Sequence, residues 1–271
     1  MNETPETAGA PSSIDTTVVH SARVWNYWLG GKDNYAVDRE VGARIAEQYP
    51  VIIEVARQDR AFLRRAIRYL AAEAGVRQFL DVGTGMPTHN STHEVAQAVA
   101  PDSAIVYVDY DPLVLAHATA LLTSTPEGFT DYVHADLREP DTVLAEARRR
   151  LDFDRPVALS LMGILGHIPD EQVYGIVARL IEGLPPGSYL ALCEGSNTDP
   201  EGNAAMDDYN QAAPLPYRVR SPEDIARFFD GLEMVEPGLV ACPQWRPDDI
   251  EVGQARETLT RCGIGRKPGA C

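Results

Sequence analysis

The sequence predicts an α/β fold: a mixed sheet of about seven strands with helices on both faces and an N-terminal helical cap. Three observations lead there. From residue 76 onward, short runs rich in Val, Ile, Leu, Tyr and Phe alternate with amphipathic stretches of helical length. A glycine turn, Gly83-Thr84-Gly85, closes the first of those runs. Residues 18–74 carry helical patterning only.

Taken in order, residues 1–17 (MNETPETAGAPSSIDTT) are acidic and rich in Pro, Ser and Thr. They read as a disordered tail, with neither the basic start nor the apolar stretch of a secretion signal. Residues 18–75 form the helical cap, and 76–271 the ligand-binding α/β domain. Strands are predicted near 77–82, 104–109, 130–134, 156–161 and 187–193, with helices near 91–99, 112–123, 140–150 and 170–183. Crossovers of that length predict right-handed βαβ units and parallel strands. Pro112 and Pro140 suit first helical turns, Gly75 and Gly183 follow helical stretches, and Ser221-Pro222-Glu223-Asp224 resembles a capping box. Strand-like pieces near 232–240 and 257–265, joined by a Pro-containing loop, predict a hairpin-like edge.

With 271 residues, 44% of them hydrophobic, the chain is long enough to bury a full core. No apolar run reaches the roughly 18 residues that span a bilayer, so a cytoplasmic protein without membrane contact is expected. A net charge of −16 repels phosphate backbones. The one basic stripe, Arg57, Arg60, Arg64, Arg65 and Arg68, is interleaved with Ile53, Ala56, Phe62, Leu63, Ile67 and Leu70. That spacing reads as an amphipathic helix with its arginines mostly on the wet face, and nucleic acid is not an expected partner. Cys193, Cys242, Cys262 and Cys271 form no CxxC pair, so free thiols are expected and zinc is not. His89 and His93 stand four apart without a third ligand, and no metal site is expected.

Chemistry concentrates in Phe79-Leu80-Asp81-Val82-Gly83-Thr84-Gly85-Met86-Pro87-Thr88, an apolar strand running into a glycine turn before a helix. In a doubly wound sheet such a turn lies where ligands bind, and Gly83 and Gly85 let the backbone bend and approach one. A dinucleotide site needs a third glycine, but Thr88 stands there and Pro87 removes an amide. Asp81 would repel a pyrophosphate and attract a cationic ammonium or sulfonium, which points to S-adenosylmethionine. Asp109 ends the next strand, placed to grip ribose hydroxyls, and Asp136 ends the one after, placed to accept from an adenine amino group. Each acid alone could equally be a helix N-cap or a solvated strand end; three at successive strand ends make a pattern.

These residues resemble those of class I methyltransferases over 76–265, which implies a Rossmann-like fold. A narrower resemblance rests on Arg23-Val24-Trp25-Asn26-Tyr27-Trp28-Leu29-Gly30-Gly31-Lys32-Asp33-Asn34-Tyr35, on Asp59-Arg60-Ala61-Phe62-Leu63-Arg64-Arg65-Ala66, and on Met86-Pro87-Thr88 with His93-Glu94-Val95-Ala96-Gln97. They are similar to a bacterial, actinobacterial-type methyltransferase family formerly catalogued as a domain of unknown function. By position, the resemblance implies that Asp81, Gly83, Thr84 and Gly85 form the methionine-side loop. Asp109 and Tyr110 would serve the ribose, Asp136 and Leu137 the adenine, and Leu161 and Met162 the donor pocket. Tyr27, Gly31 and Asn34 would close over the cofactor from the cap, although Gly30-Gly31 could equally be a helix C-cap.

After the fourth strand the chain reads Gly163-Ile164-Leu165-Gly166-His167-Ile168, where the family often shows a Leu-His pair. His167 and Glu194 are the candidate catalytic acid/base residues. The expected activity is S-adenosylmethionine-dependent methyl transfer, O- or N-directed, to a small-molecule acceptor of specialised metabolism. The leaving group is neutral, so alignment can supply most of the rate. No Asn-Pro-Pro-Tyr run of the DNA amino-methyltransferases is present. Two alternatives stay open at this stage: an S-adenosylmethionine-binding protein that does not transfer methyl (a cyclisation or elimination enzyme, or a partner subunit), and an NAD-dependent oxidoreductase. The acceptor atom and the oligomeric state are not legible.

Overall fold

The computed structural model describes residues 15–87, 90–121, 123–248 and 258–269. Most of the expected tail, together with Thr88, His89 and Cys271, lies outside the described residues. Three helices come first, α1 (Ser21–Trp28), α2 (Ala36–Gln48) and α3 (Ile52–Ala72). Strands and helices then alternate: β1 (Gln78–Val82), α4 (Thr92–Val99), β2 (Ala104–Asp109), α5 (Pro112–Leu121), β3 (Phe129–His134), α6 (Pro140–Arg148), β4 (Ala158–Met162), α7 (Asp170–Gly183) and β5 (Tyr189–Gly195). Helices α8 (Pro200–Ala212) and α9 (Pro222–Ala226) follow, and then β6 (Glu233–Met234), β7 (Val240–Ala241) and β8 (Thr260–Arg266).

Local chemistry sets the boundaries. A reciprocal capping box between Ser91 and Glu94 opens α4, and the Ser221 hydroxyl accepts from the Asp224 amide at the start of α9. Pro140 occupies the first turn of α6, where a missing N–H costs nothing. Every residue of β1 is buried, as a strand covered on both faces requires.

The sheet runs β3-β2-β1-β4-β5-β8-β6, with β7 also paired to β8. Strands β1 to β5 are parallel, Leu80 lying opposite Val106 on one side and Leu159 on the other. Strand β8 is antiparallel to β5 and sets Cys262 opposite Cys193. The two late pieces pair antiparallel with each other, giving the expected hairpin-like edge, though the first is not one unbroken strand. The 232–240 run splits into β6 and β7, two residues each, and both pair with β8. Pro237, which has no amide to give a ladder, and the turn glycine Gly238 (φ +89°) stand between them. The order reverses between β1 and β4, and the crevice beyond their carboxyl ends is where such a fold receives ligands.

One apolar layer joins Leu80, Val106, Leu159 and Leu190 to α6, α7 and α9. The other joins Phe79, Ile105, Ala158 and Ala191 to Phe62, Leu63, Ala66, Ile67 and Leu70 of α3. Helix α3 is thus part of the sandwich. A third cluster, including Trp28, Val41, Ile45, Ala205 and Tyr209, packs α1 and α2 against α8. The arginines of α3 divide: Arg57 and Arg68 are exposed, but Arg65 is buried, donating from Nε to the Trp245 carbonyl (2.9 Å) and from Nη2 to that of Cys242 (2.6 Å). The wet-face expectation fails for Arg65 because the 242–245 turn covers that side of the helix. Among the described residues, no helix is long and apolar enough to cross a membrane.

Candidate functional site

The glycine turn sits at the carboxyl end of β1 in a conformation only glycine adopts readily. Gly83 has φ +74° and Gly85 φ +64°. A Cβ on Gly83 would lie 2.5 Å from Cγ1 of Ile164, so both space and dihedral exclude a side chain. Thr84 Oγ1 donates to the Asp81 carbonyl (3.1 Å) and ties the turn to its strand.

Asp81 is buried, and its Oδ2 accepts from the Thr92 hydroxyl at 2.5 Å. Burial pushes its pKa up to about 6, against the pull of that hydrogen bond and of the Arg60 guanidinium. Arg60 stands in the same wall, and among the described residues its guanidinium makes no hydrogen bond or ion pair. Burial lowers the Arg60 pKa, and the charge of Asp81 opposes this.

Asp109 accepts from the Gly85 amide through Oδ2 (2.9 Å) and from the Asp111 amide through Oδ1 (3.0 Å). It therefore braces the glycine turn as well as facing the crevice. Its pKa is raised by burial, with the two amides opposing the rise. Asp136 is half-buried, and burial favours its protonated form; bonds from the Arg138 amide (2.8 Å) and guanidinium outweigh that and hold its pKa below the ordinary value.

These groups surround a cavity of about 1660 Å³, counting its open mouth. Asp81, Gly83, Thr84, Gly85, Asp109, Tyr110, Met162 and His167 all line it. Asp136 and Leu137 line a smaller adjoining cavity that shares Gly83, Asp109, Tyr110 and Ile164 with the first.

Tyr27, Gly31 and Asn34 are not on the cavity wall. Tyr27 packs against Gly42, while the Asn34 amide donates to Asn26 Oδ1 (2.8 Å) and to the Gly31 carbonyl (3.0 Å). A Cβ on Gly31 would collide with Asn26 at 2.3 Å. Tyr27 packs α1 against α2, Gly31 and Asn34 build the loop after α1, and it is His20, Ser21, Ala22, Trp25 and Asn26 that reach the cavity.

Glu194 is also off the wall, held behind it. Its Oε1 accepts from the Leu165 amide (2.7 Å) and its Oε2 from the Tyr217 hydroxyl (3.0 Å), and burial pushes its pKa up to about 7. Tyr217 lines the cavity and stands edge-on to His167, ring centres 5.2 Å apart. His167 Nδ1 lies 3.1 Å from the Pro216 carbonyl, a contact that requires the proton on Nδ1 and leaves Nε2 as the acceptor. Burial lowers the His167 pKa to about 4, so the ring is neutral near pH 7.

Sequence reasoning missed Arg60, Trp25, Tyr209 and Tyr217 as wall residues. Arg60 had a signal, since an arginine among apolar neighbours on a helix leading into the sheet can face either way. The tyrosines come from segments remote in sequence and had none.

The chain matches the family described as S-adenosyl methyltransferase over residues 7–268. It is similar to a DUF574 family protein from Streptomyces avermitilis, 43% identical, with 94% of this chain and 99% of that one covered and a TM-score of 0.90. A putative methyltransferase from Thermobifida fusca is 39% identical over 93% of this chain and 96% of its own, with a TM-score of 0.86. Human N-acetylserotonin methyltransferase, in complex with SAM, shares the fold at 12% identity and a TM-score of 0.51, over 90% of this chain and 62% of its own. No protein of curated function matches. The glycine turn, the acids at three strand ends and a family match spanning nearly the whole chain agree: this chain belongs to the S-adenosyl methyltransferase family and is an S-adenosylmethionine-dependent methyltransferase.

Proposed function

We propose that the enzyme methylates an oxygen or nitrogen of a small, largely apolar acceptor held beside the cofactor. The observation that carries this is the cavity's far wall. Beyond Met162 it is built from Trp25, Trp28, Tyr49, Met206, Tyr209 and Tyr217, an aromatic and aliphatic surface suited to a ring system. A net charge of −16 disfavours a nucleic-acid acceptor.

The chain's own groups suit the cofactor. Asp81 and Arg60 offer opposite charges on adjoining stretches of one wall, matching the ammonium and carboxylate of a zwitterionic amino-acid end. Gly83 and Gly85 leave room for close approach, Asp109 and Tyr110 suit the ribose, and Asp136 and Leu137 the adenine. When bound, S-adenosylmethionine supplies a sulfonium methyl whose departure leaves a neutral thioether.

The residues then align the acceptor and keep water out. With a pKa near 4, His167 is a weak base, so its Nε2 orients an acceptor hydroxyl or amine by accepting a hydrogen bond. Glu194 acts through Tyr217, fixing the phenol and the Leu165 backbone; it is a positioning residue. Alignment supplies most of the rate. The three buried free thiols support a reducing, cytoplasmic setting.

The test supplies methyl-labelled S-adenosylmethionine with a panel of hydroxylated and aminated aromatic molecules, with nucleic acid and with protein. Label entering the organic-extractable fraction is the expected result. Label found only in acid-precipitable polymer would overturn the small-molecule reading.

A further inference from the structure

At the edge of the cavity, four acidic side chains from four separate elements meet, the three thiols buried and Asp59 nearly so. Cys193 comes from β5, Cys262 from β8, Cys242 from the turn after β7 and Asp59 from α3. The three thiols are at most 1% exposed and Asp59 is 9% exposed. The Cys193 and Cys242 sulfurs are 3.2 Å apart, and both lie with an Asp59 carboxylate oxygen inside a 4.8 Å group. The Cys262 thiol is within hydrogen-bonding reach of Cys242. The Thr260 hydroxyl donates to Asp59 Oδ1 at 2.7 Å.

We propose that Asp59, Cys193, Cys242 and Cys262 form a site for one thiophilic divalent cation of the zinc type. Sequence spacing could not show it, because the ligands are separated by 20 to 134 residues and converge only through sheet pairing and the packing of α3. The chemistry of the donors carries the inference. Two sulfurs and a carboxylate oxygen, all buried, converge within 4.8 Å of one another, with a third thiol in reach of Cys242, and thiolate with carboxylate is a donor set that zinc accepts. A cation of charge +2 would let the thiols and the carboxyl release their protons to solvent and would repay their desolvation. Arg65, whose charge is felt at Cys262, would offset part of the remaining negative charge.

The spacing of Asp59, Cys193 and Cys242 suits a first-row ion, and Cys262, which lies outside that 4.8 Å group, would have to turn in to complete four-coordination. Zinc–sulfur bonds of about 2.3 Å put tetrahedral ligands about 3.8 Å apart, so Cys193 and Cys242 need part by only about half an ångström. Asp59 and Thr260 also line the substrate cavity, which gives the ion a path in. A bound ion would staple α3, β5, β8 and the 242–245 turn together beside the cavity.

The test uses tag-free, full-length protein carrying Cys271→Ser, so that only the three clustered cysteines remain. After incubation with zinc and gel filtration, elemental analysis should find one metal per chain. Cobalt in its place should give the near-ultraviolet sulfur-to-cobalt charge-transfer band and strong visible bands of a tetrahedral thiolate site. Cys242→Ser should lose that band, and Asp59→Asn, which can still accept from Thr260, should yield its metal to a chelator that the parent withstands. The cobalt spectrum of the parent needs no core variant, so poor folding of Cys242→Ser does not spoil the test. Folded protein that takes up no metal, metal retained unchanged in both variants, or a Cys193–Cys242 disulfide found by mass in protein handled without reductant would each overturn the proposal.

Discussion

At the scale of single residues, the site is a set of charges whose ionisation the fold controls. Arg60 and Asp81 adjoin in the cavity wall, and neither is spent on a salt bridge with another described residue. Arg60→Ala should therefore weaken S-adenosylhomocysteine binding by about 1.5–3 kcal/mol, the range of a charged hydrogen bond, with Arg60→Lys in between. Calorimetric titration reads this, and unchanged affinity in folded protein would remove Arg60 from the cofactor site. Asp81 attracts an ammonium only when ionised. With its pKa held up to about 6, affinity should be full above that pH and fall as pH drops below it, while Asp81→Asn should bind weakly with a flatter profile. Glu194 gives the opposite sign for stability. Its folded pKa of about 7 exceeds the ordinary 4.5, so the folded state holds the proton more tightly. That contribution is complete below about pH 4.5 and is lost as pH rises to about 7, a fall of about 3 kcal/mol. Glu194→Gln keeps an oxygen for the Leu165 amide and should flatten that part of the urea-denaturation profile relative to the parent; parallel profiles would refute the assignment.

At the scale of elements, what was legible depended on where the stabilising contacts come from. Strands β1 to β5 and their crossover helices were readable because their apolar runs and Pro and Gly boundaries are local signals. The acids of the site were readable because they stand at the ends of those strands. Helix α8 was not: residues 200–212 carry Glu, two Asp, two Asn and Gln, and what holds them helical is tertiary. Asp199 caps it, Oδ1 accepting from the Glu201 amide at 3.1 Å, while Oδ2 accepts from the Tyr49 hydroxyl at 2.8 Å beside the end of α2. Asp199→Ala removes both bonds and should cost about 1–2 kcal/mol, whereas Asp199→Asn, a good cap that can also pair with a phenol, should cost much less. Equal losses for the two, measured by urea denaturation, would mean that the cap bond does not matter. Which cap residues reach the cavity was hidden for a similar reason. Whether Tyr27 or Trp25 faces the ligand is a matter of how α1 is rotated against α2, and periodicity within eight residues does not settle rotation. Arg60 and Arg65 were obscured because a buried arginine carries the same letter as a solvated one.

At the scale of the whole molecule, the question is whether α1, α2 and α8 melt with the sheet or apart from it. They share an apolar cluster of their own, which would allow independence. Two features oppose that. Helix α3 runs on from α2 into the core of the sandwich, and the cavity is walled on one side by Trp25 and Asn26 and on the other by Asp81, Gly83 and Asp109. A ligand in that cavity touches both bodies and stabilises the joined state only. At S-adenosylhomocysteine concentrations a hundredfold above its dissociation constant, linkage adds about 2.7 kcal/mol, which for a chain of this size raises the melting temperature by roughly 5–10 °C. If the helices and the sheet are one cooperative unit, calorimetry should show a single transition that moves by that amount, and amides of α1 and α2 should gain exchange protection together with those of α3. If the helices form a separate unit, an early transition will appear in the free protein, and ligand will merge it with the main one. A third outcome, in which only the main transition moves and the early one stays in place, would mean that α1 makes no contact with the bound ligand, and the place given to Trp25 in the wall would fall with it.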